Sequence, residues 1–273
     1  MHLKSDSYTL EEHRCSTRKN KVFGMEDIMK KTYKLTIAYD GSRYFGWEHQ
    51  PDRDTVQGKL ESVLERMVGE FIDVIGAGRT DAGVHARAMT AHAVFETKMS
   101  CEEIRDYFNR YLPDDIAVRD VTVASERFHA RYKAVGKTYQ YTCFDGPVKP
   151  VFDRKYVTIL KESPDVEAMQ EAADYLTGEH DFRSFCGNPR MKKSTIRIVD
   201  TIEITKKSGY IRIRVHGTGF LQNMVRIIVG TLLEVGFGRL KPEDMLAILE
   251  AKDRKVAGPT APPEGLMLMK VDY

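Results

Sequence analysis

Cysteine is scarce in this chain. The four present, Cys15, Cys101, Cys143 and Cys186, lie far apart among 273 residues with no C-x-x-C pair. Such spacing argues against a zinc ribbon or a disulfide scaffold and fits a reducing compartment, so a cytoplasmic protein is expected. A long apolar run is missing too. The strongest candidate, Met224 to Phe237, is interrupted by Arg226 and Glu234. It falls short of the roughly 18 residues of a membrane span and predicts a buried helix instead. Nor does one sign of charge dominate: 42 Lys plus Arg stand against 40 Asp plus Glu, a formal net charge of +2. That near-balance neither demands nor excludes a nucleic-acid partner, because binding depends on where basic residues cluster.

What is present is the composition of an ordinary globular protein, 42% hydrophobic and 30% charged, long enough for one large domain or two packed subdomains. Residues 1–31 carry mixed charges and nothing like a signal-peptide core. They are expected to be an extension outside the fold, with Met25 or Met29 fitting equally well as the start. Leu35, Ile37 and Tyr39 alternate with period two, which predicts a strand from Lys34 to Tyr39. Asp54 and Gln57 have capping-box spacing ahead of a helical stripe of Val56, Leu60, Val63, Leu64 and Met67. Strands are expected at Phe71–Ile75, Met89–Phe95, Ile116–Val123 and Lys137–Phe144, with a second capping box at Ser100 and Glu103 opening a helix.

A turn at Asp145-Gly146-Pro147 divides the chain into an expected N-terminal subdomain, residues 32–147, and a C-terminal one, residues 148–273. The second half repeats the mixed character. It has a helix marked by Val166, Met169, Ala173 and Leu176, an antiparallel pair of strands across Ser208-Gly209, helices at Asn223–Val235 and Pro242–Ala251, and a strand at Leu266–Val271. The fold class expected is α+β, with helices laid on one face of a mostly antiparallel sheet.

The loop from Gly76 to His85 is the most informative segment. Three glycines in eight residues open backbone angles closed to other residues and let a ligand approach. No Gly-Lys-Ser/Thr follows, so it is not a P-loop, and Asp81 stands where the dinucleotide fingerprint needs its third glycine. What remains is a tight loop after a strand that presents Arg79 and Asp81. Taken alone, such an aspartate is most often a turn former bonding local amides.

The run Gly78-Arg79-Thr80-Asp81-Ala82-Gly83-Val84-His85 resembles the catalytic loop of the TruA family of tRNA pseudouridine synthases, and the likeness continues in order along the chain. Tyr39-Asp40-Gly41, Gly46-Trp47 and Thr55-Val56-Gln57 resemble the family's opening. Asn109, Leu112-Pro113 and Asp115-Ile116 follow, then Phe128-His129-Ala130-Arg131, Tyr139-x-Tyr141, Asp181-Phe182 and Ser184-Phe185. Phe220-Leu221, Met224-Val225-Arg226, Gly258-Pro259-Thr260-Ala261-Pro262 and Gly265-Leu266 complete the series. Glu48-His49 departs from the pattern where many relatives carry Gln.

The resemblance implies a pseudouridine synthase fold of two related subdomains flanking a cleft. It implies tRNA as partner, the anticodon stem and loop as target (uridines 38, 39 and 40), a homodimer, and no cofactor or metal. It makes Asp81 the catalytic carboxylate, either attacking C6 of the ring or assisting departure of the base from the sugar. Arg226 is then its positive neighbour, Tyr139 the aromatic stacking on the extruded base, and Arg79 a group that holds phosphates or fills the vacated space. Strand alternation puts Tyr139 and Tyr141 on one face, so periodicity does not separate them. His85 and His92 are isolated, and are expected to be structural or RNA-facing. Arg127, Arg131, Lys133 and Lys137, with Arg190, Lys192, Lys193 and Arg197, mark an expected path for RNA phosphates. Two other readings remain open: a non-catalytic RNA-binding protein with this fold, and a small-molecule enzyme using the glycine-rich loop for a nucleotide.

Overall fold

The computed structural model describes residues 29–188 and 190–273. The expectation for the N-terminal extension lies outside the described residues up to position 28. Lys31 already belongs to the fold: β1, Lys31–Tyr39, buries Leu35, Ile37 and Tyr39 and leaves the alternate residues half-exposed. It lies antiparallel between β3 (His85–Phe95) and β4 (Ile116–Ala124). β3 begins four residues before the expected Met89, because its first residues pair with a strand from the far end of the chain.

The helix α1, Val56–Val68, is capped by the Thr55 hydroxyl, which accepts from the Gly58 amide at 3.2 Å. The Asp54–Gln57 capping box does not form. The Asp54 carboxylate pairs with Lys59, and the Gln57 amide donates to Glu61 at 2.7 Å. The Ser100–Glu103 box does form and opens α2, Cys101–Tyr111. The strand expected at Phe71–Ile75 shrinks to β2, Ile75–Gly76. The preceding amide, that of Val74, donates to the buried Glu61 carboxylate rather than to a neighbouring strand.

Beyond them come β5 (Gly136–Phe144), the short β6 (Thr158–Ile159), α3 (Val166–Asp174) and β7 (Gly178–Asp181). β8 (Ile196–Lys207) and β9 (Tyr210–Gly217) form a hairpin across Ser208-Gly209, both with positive φ as a tight two-residue turn requires. α4 (Met224–Gly236) is buried on nearly every side despite Arg226 and Glu234. α5 (Asp244–Ala251) starts two residues later than expected, and β10 (Leu266–Asp272) follows.

All ten strands join one sheet in the order β4-β1-β3-β10-β5-β9-β8-β7, with β2 on β3 and β6 on β5. Pairing is antiparallel except for β3 with β10 and β5 with β6, so the class is α+β. One hydrophobic core runs along the sheet and includes Ile37, Tyr141 and Ile213 from strands and Leu60, Phe108, Met169 and Ile228 from helices. β10 joins strands of the first half, β3 and β5, so the two halves share their central pairing. That junction brings the β2–β3 loop opposite the first turn of α4.

Candidate active site

The β2–β3 loop is held from below by the last residue of β1 and the segment after it. The Tyr39 hydroxyl meets Thr80 Oγ1 at 2.8 Å, the Trp47 amide donates to the Thr80 carbonyl at 3.1 Å, and the Gly83 amide donates to the Tyr44 carbonyl at 3.3 Å. Gly46 has φ +94°, and a Cβ there would stand 2.5 Å from the Thr80 oxygen. Only glycine permits that approach. The loop closes on itself through the Val84 amide, which donates to the Asp81 carbonyl at 3.1 Å. Asp81 is thus presented by a backbone bonded on both flanks.

Facing it is α4. Arg226 Nη1 lies 3.3 Å from Asp81 Oδ2, and the Asn223 amide donates to the same oxygen at 2.5 Å. The other edge of the guanidinium is fixed as well, since Arg226 Nε donates to the Ala261 carbonyl at 2.7 Å. Arg226 follows the buried Met224 and Val225 and precedes the buried Ile227 and Ile228, and its side chain is 14% exposed. An unpaired charge there is strongly unfavourable, so the pairing with Asp81 stabilises both sides. The Asp81 carboxylate remains 31% exposed and open to a ligand.

Tyr139 and Tyr141, alike in sequence, part company here. The Tyr141 hydroxyl is committed to Thr158 Oγ1 at 2.6 Å and to the Pro262 carbonyl at 2.8 Å. Tyr139 makes no such bond among the described residues and packs edge-on against Phe220 with ring centroids 5.3 Å apart. Burial pushes its hydroxyl well above the usual tyrosine range, and the negative charge of Asp81 adds to the shift. It therefore stays protonated at any working pH.

Arg79 turns outward: its guanidinium pairs with Glu48, the departing residue of the family pattern, and its side chain is 61% exposed. The structure places it on the β2–β3 loop without a side-chain bond to Asp81. Of the basic residues expected along an RNA path, Arg127, Arg131, Lys133, Arg190, Lys192 and Lys193 are exposed. Among the described residues no carboxylate pairs with them.

Lys137 is a correction to that surface reading. Its ammonium reaches inward and donates to the Ala77 carbonyl at 2.8 Å, at the start of the β2–β3 loop. Burial, then the charges of Arg131 and Arg197, bring it down to about 8. His85 and His92 are also buried, which removes the RNA-facing alternative. The His85 Nδ1 accepts from the Gly41 amide and the His92 Nδ1 from the Ala130 amide. Burial lowers the pKa of both rings, with Asp40 opposing the shift at His85 and the charge of His129 reinforcing it at His92.

Sequence reasoning missed Asn223, because an asparagine just ahead of a helix ordinarily reads as a cap. Among the described residues, no three His, Cys, Asp or Glu side chains gather as a metal site, and no helix is long and apolar enough to cross a membrane.

An arginine-paired aspartate on a braced loop, beside a buried tyrosine, is the arrangement implied by the sequence resemblance. The family model that matches, described as tRNA pseudouridine synthase, covers residues 35–133 and 172–273, and the chain belongs to that family. Similar relatives bear the name tRNA pseudouridine synthase A. The protein from Bacillus sp. (strain KSM-64) is 45% identical over 242 residues, 88% of this chain and 99% of the relative. That from Caldicellulosiruptor bescii is 44% identical over 239 residues, 88% and 98% of the two chains. That from Clostridium kluyveri is 43% identical over 243 residues, 89% and 100%. Among solved structures, the archaeal box H/ACA sRNP Nop10-Cbf5 complex aligns over 87% of this chain and 48% of that one, with a TM-score of 0.33 at 13% identity.

Proposed function

We propose that this protein isomerises uridine to pseudouridine in the anticodon stem and loop of tRNA, at uridines 38, 39 and 40, with Asp81 as nucleophile. The observation that carries the reading is the Asp81 carboxylate, anchored through Oδ2 by Arg226 and Asn223 yet still open to a ligand. The reaction breaks the C1′–N1 bond, turns the base, and joins C1′ to C5. A proton leaves C5 and N1 gains one, so no electrons are exchanged. An ionised carboxylate serves either route, addition to C6 or attack at C1′ as the base departs. Arg226 sets a fixed positive charge beside it at 3.3 Å.

The target base must leave the stack to reach Asp81. Tyr139 offers its ring to the base, with Phe220 bracing the edge. Arg79, released from Glu48, fills the space vacated in the RNA. The exposed basic residues provide phosphate contacts, and a homodimer working in the cytoplasm completes the reading.

The test is incubation of unmodified tRNA transcript with the parent and with Asp81→Asn, followed by mapping of pseudouridine. The parent converts uridines of the anticodon stem and loop. The variant binds tRNA within a few-fold of the parent and converts none. An active Asp81→Asn overturns the nucleophile, and conversion elsewhere in the tRNA overturns the target.

A further inference from the structure

Asn223 holds a backbone conformation that its position does not call for. It is one of four non-glycine residues with positive φ among the described residues. The others occupy an exposed bend (Asp52), the β8–β9 turn (Ser208) and the C-terminal end of α5 (Lys252). Turns and helix ends of those kinds use left-handed geometry routinely. Asn223 instead precedes a helix, where an extended residue with its side chain capping the first turn is the rule. It has φ 58° and ψ 5°, and its side chain caps nothing. Its amide is directed across the cleft to Asp81 Oδ2, 142 positions away in sequence. An ionised carboxylate only accepts, so the NH2 group is the one that faces it.

The amide is also walled in from behind. A Cβ at Gly187 would stand 2.4 Å from Asn223 Oδ1, so that position leaves room for the carboxamide only as glycine. The Gly187 amide donates to the neighbouring Gln222 carbonyl at 2.8 Å, and Asn223's own carbonyl accepts the first helical bond, from Ile227, at 2.9 Å. Backbone, side chain and wall thus aim one N–H at one oxygen. Arg226, a single turn later on α4, approaches the same oxygen at 3.3 Å. Among the described residues, Asp81 Oδ1 receives no hydrogen bond.

From this asymmetry we propose that Asn223 is a positioning residue that fixes the Asp81 carboxylate by Oδ2 and leaves Oδ1 as the oxygen that reacts. The proposal rests on Asp81 being the nucleophile. A carboxylate free to rotate about its terminal torsion presents either oxygen over a broad range of angles. Two donors on one oxygen remove that freedom before substrate arrives, and misplacement of a reacting atom by about 1 Å costs on the order of 100-fold in rate. The charged and titratable groups facing the carboxylate are Arg226 from α4 and Tyr139 from β5, while Arg79 of its own loop faces Glu48.

Three variants are compared by single-turnover rate at saturating tRNA, with binding and melting measured alongside. Asn223→Gly keeps the left-handed backbone and deletes the amide. It is expected to slow the chemical step by roughly tenfold or more with tRNA affinity unchanged. Asn223→Asp keeps the size but sets a second carboxylate against the first. Its acid limb in the pH–rate profile is expected to move up by about one unit or more, since adjacent carboxylates resist joint ionisation. Asp81→Asn is the control for the underlying reading: if it is active, the nucleophile assignment fails and the positioning role falls with it. With Asp81→Asn inactive, an Asn223→Gly rate within about twofold of the parent, or an unmoved Asn223→Asp profile, overturns the proposal. Should Asn223→Gly fail to fold, Gly187→Ala, which crowds the amide from behind, carries the same expected loss of rate and the same refutation.

Discussion

Arg226 and Ala261 bond to each other twice. The Arg226 Nε donates to the Ala261 carbonyl at 2.7 Å, and the Ala261 amide donates to the Arg226 carbonyl at 3.0 Å. The guanidinium that meets Asp81 is therefore aimed by the Gly258–Pro262 segment lying along α4. Gly230, one turn on, allows that contact: a Cβ there would stand 1.8 Å from the Pro259 oxygen. Gly230→Ala is expected to push the segment away, cost about 1–3 kcal/mol of stability, and lower turnover through Arg226. Melting temperature and single-turnover rate check this, and a variant equal to the parent in both refutes the close contact.

Arg226→Lys is expected to fail as a conservative change. One planar group now bonds the Ala261 carbonyl and the Asp81 carboxylate from two edges, which a single ammonium does not reproduce. Turnover should fall roughly 100- to 1,000-fold, with tRNA affinity within a few-fold. Rapid-quench rates at saturating tRNA decide it, and near-parent turnover shows that charge alone suffices.

Lys137 makes a pH-dependent contribution to stability. Its folded-state value of about 8 lies below the usual 10.5, so holding the buried cation costs stability below about 8, and that cost is relieved as pH rises toward 10.5. Lys137→Met, which loses the bond to the Ala77 carbonyl but carries no charge, should lack that alkaline rise. Melting temperatures between about pH 7 and 10 measure it; an identical dependence in the variant removes Lys137 from the effect.

Stability should also respond to acid in the histidine range. The folded-state values of His85 and His92 lie below 6.5, so as pH falls the unfolded chain takes up protons first. Their contribution is complete above about 6.5 and lost as pH drops from there toward the folded values. Asp40, Asp115 and Asp145 are shifted below 3.8 and keep their contribution until more acid conditions. Melting temperature should therefore decline between about pH 7 and 5, less steeply in His92→Gln. A flat profile contradicts the burial of these rings.

The Gly76–His85 loop stood out because its glycines, Arg79 and Asp81 lie close together along the chain. Arg226 was legible for another reason: a charge inside an apolar helix demands a partner. Tyr139 could not be told from Tyr141 by alternation, since both face inward and only their hydroxyl environments differ. The capping box at Asp54 and the strand at Phe71 failed where side chains chose other partners, Lys59 for Asp54 and the Val74 amide for Glu61. Asn223 was hidden because its partner comes from the other half of the chain. Lys137 was hidden because a lysine in a basic run gives no sign of turning inward.

The position of β10 has a consequence for biosynthesis. It is the last strand in chain order, yet it lies between β3 and β5. A nascent polypeptide can pair β1 with its two neighbours early, but the middle of the sheet stays open until Leu266–Asp272 leaves the ribosome. Until then β3 and β5 expose unpaired edges. Closure of the sheet thus waits on a strand made long after its two neighbours, and the growing chain is most exposed to aggregation just before synthesis reaches that strand.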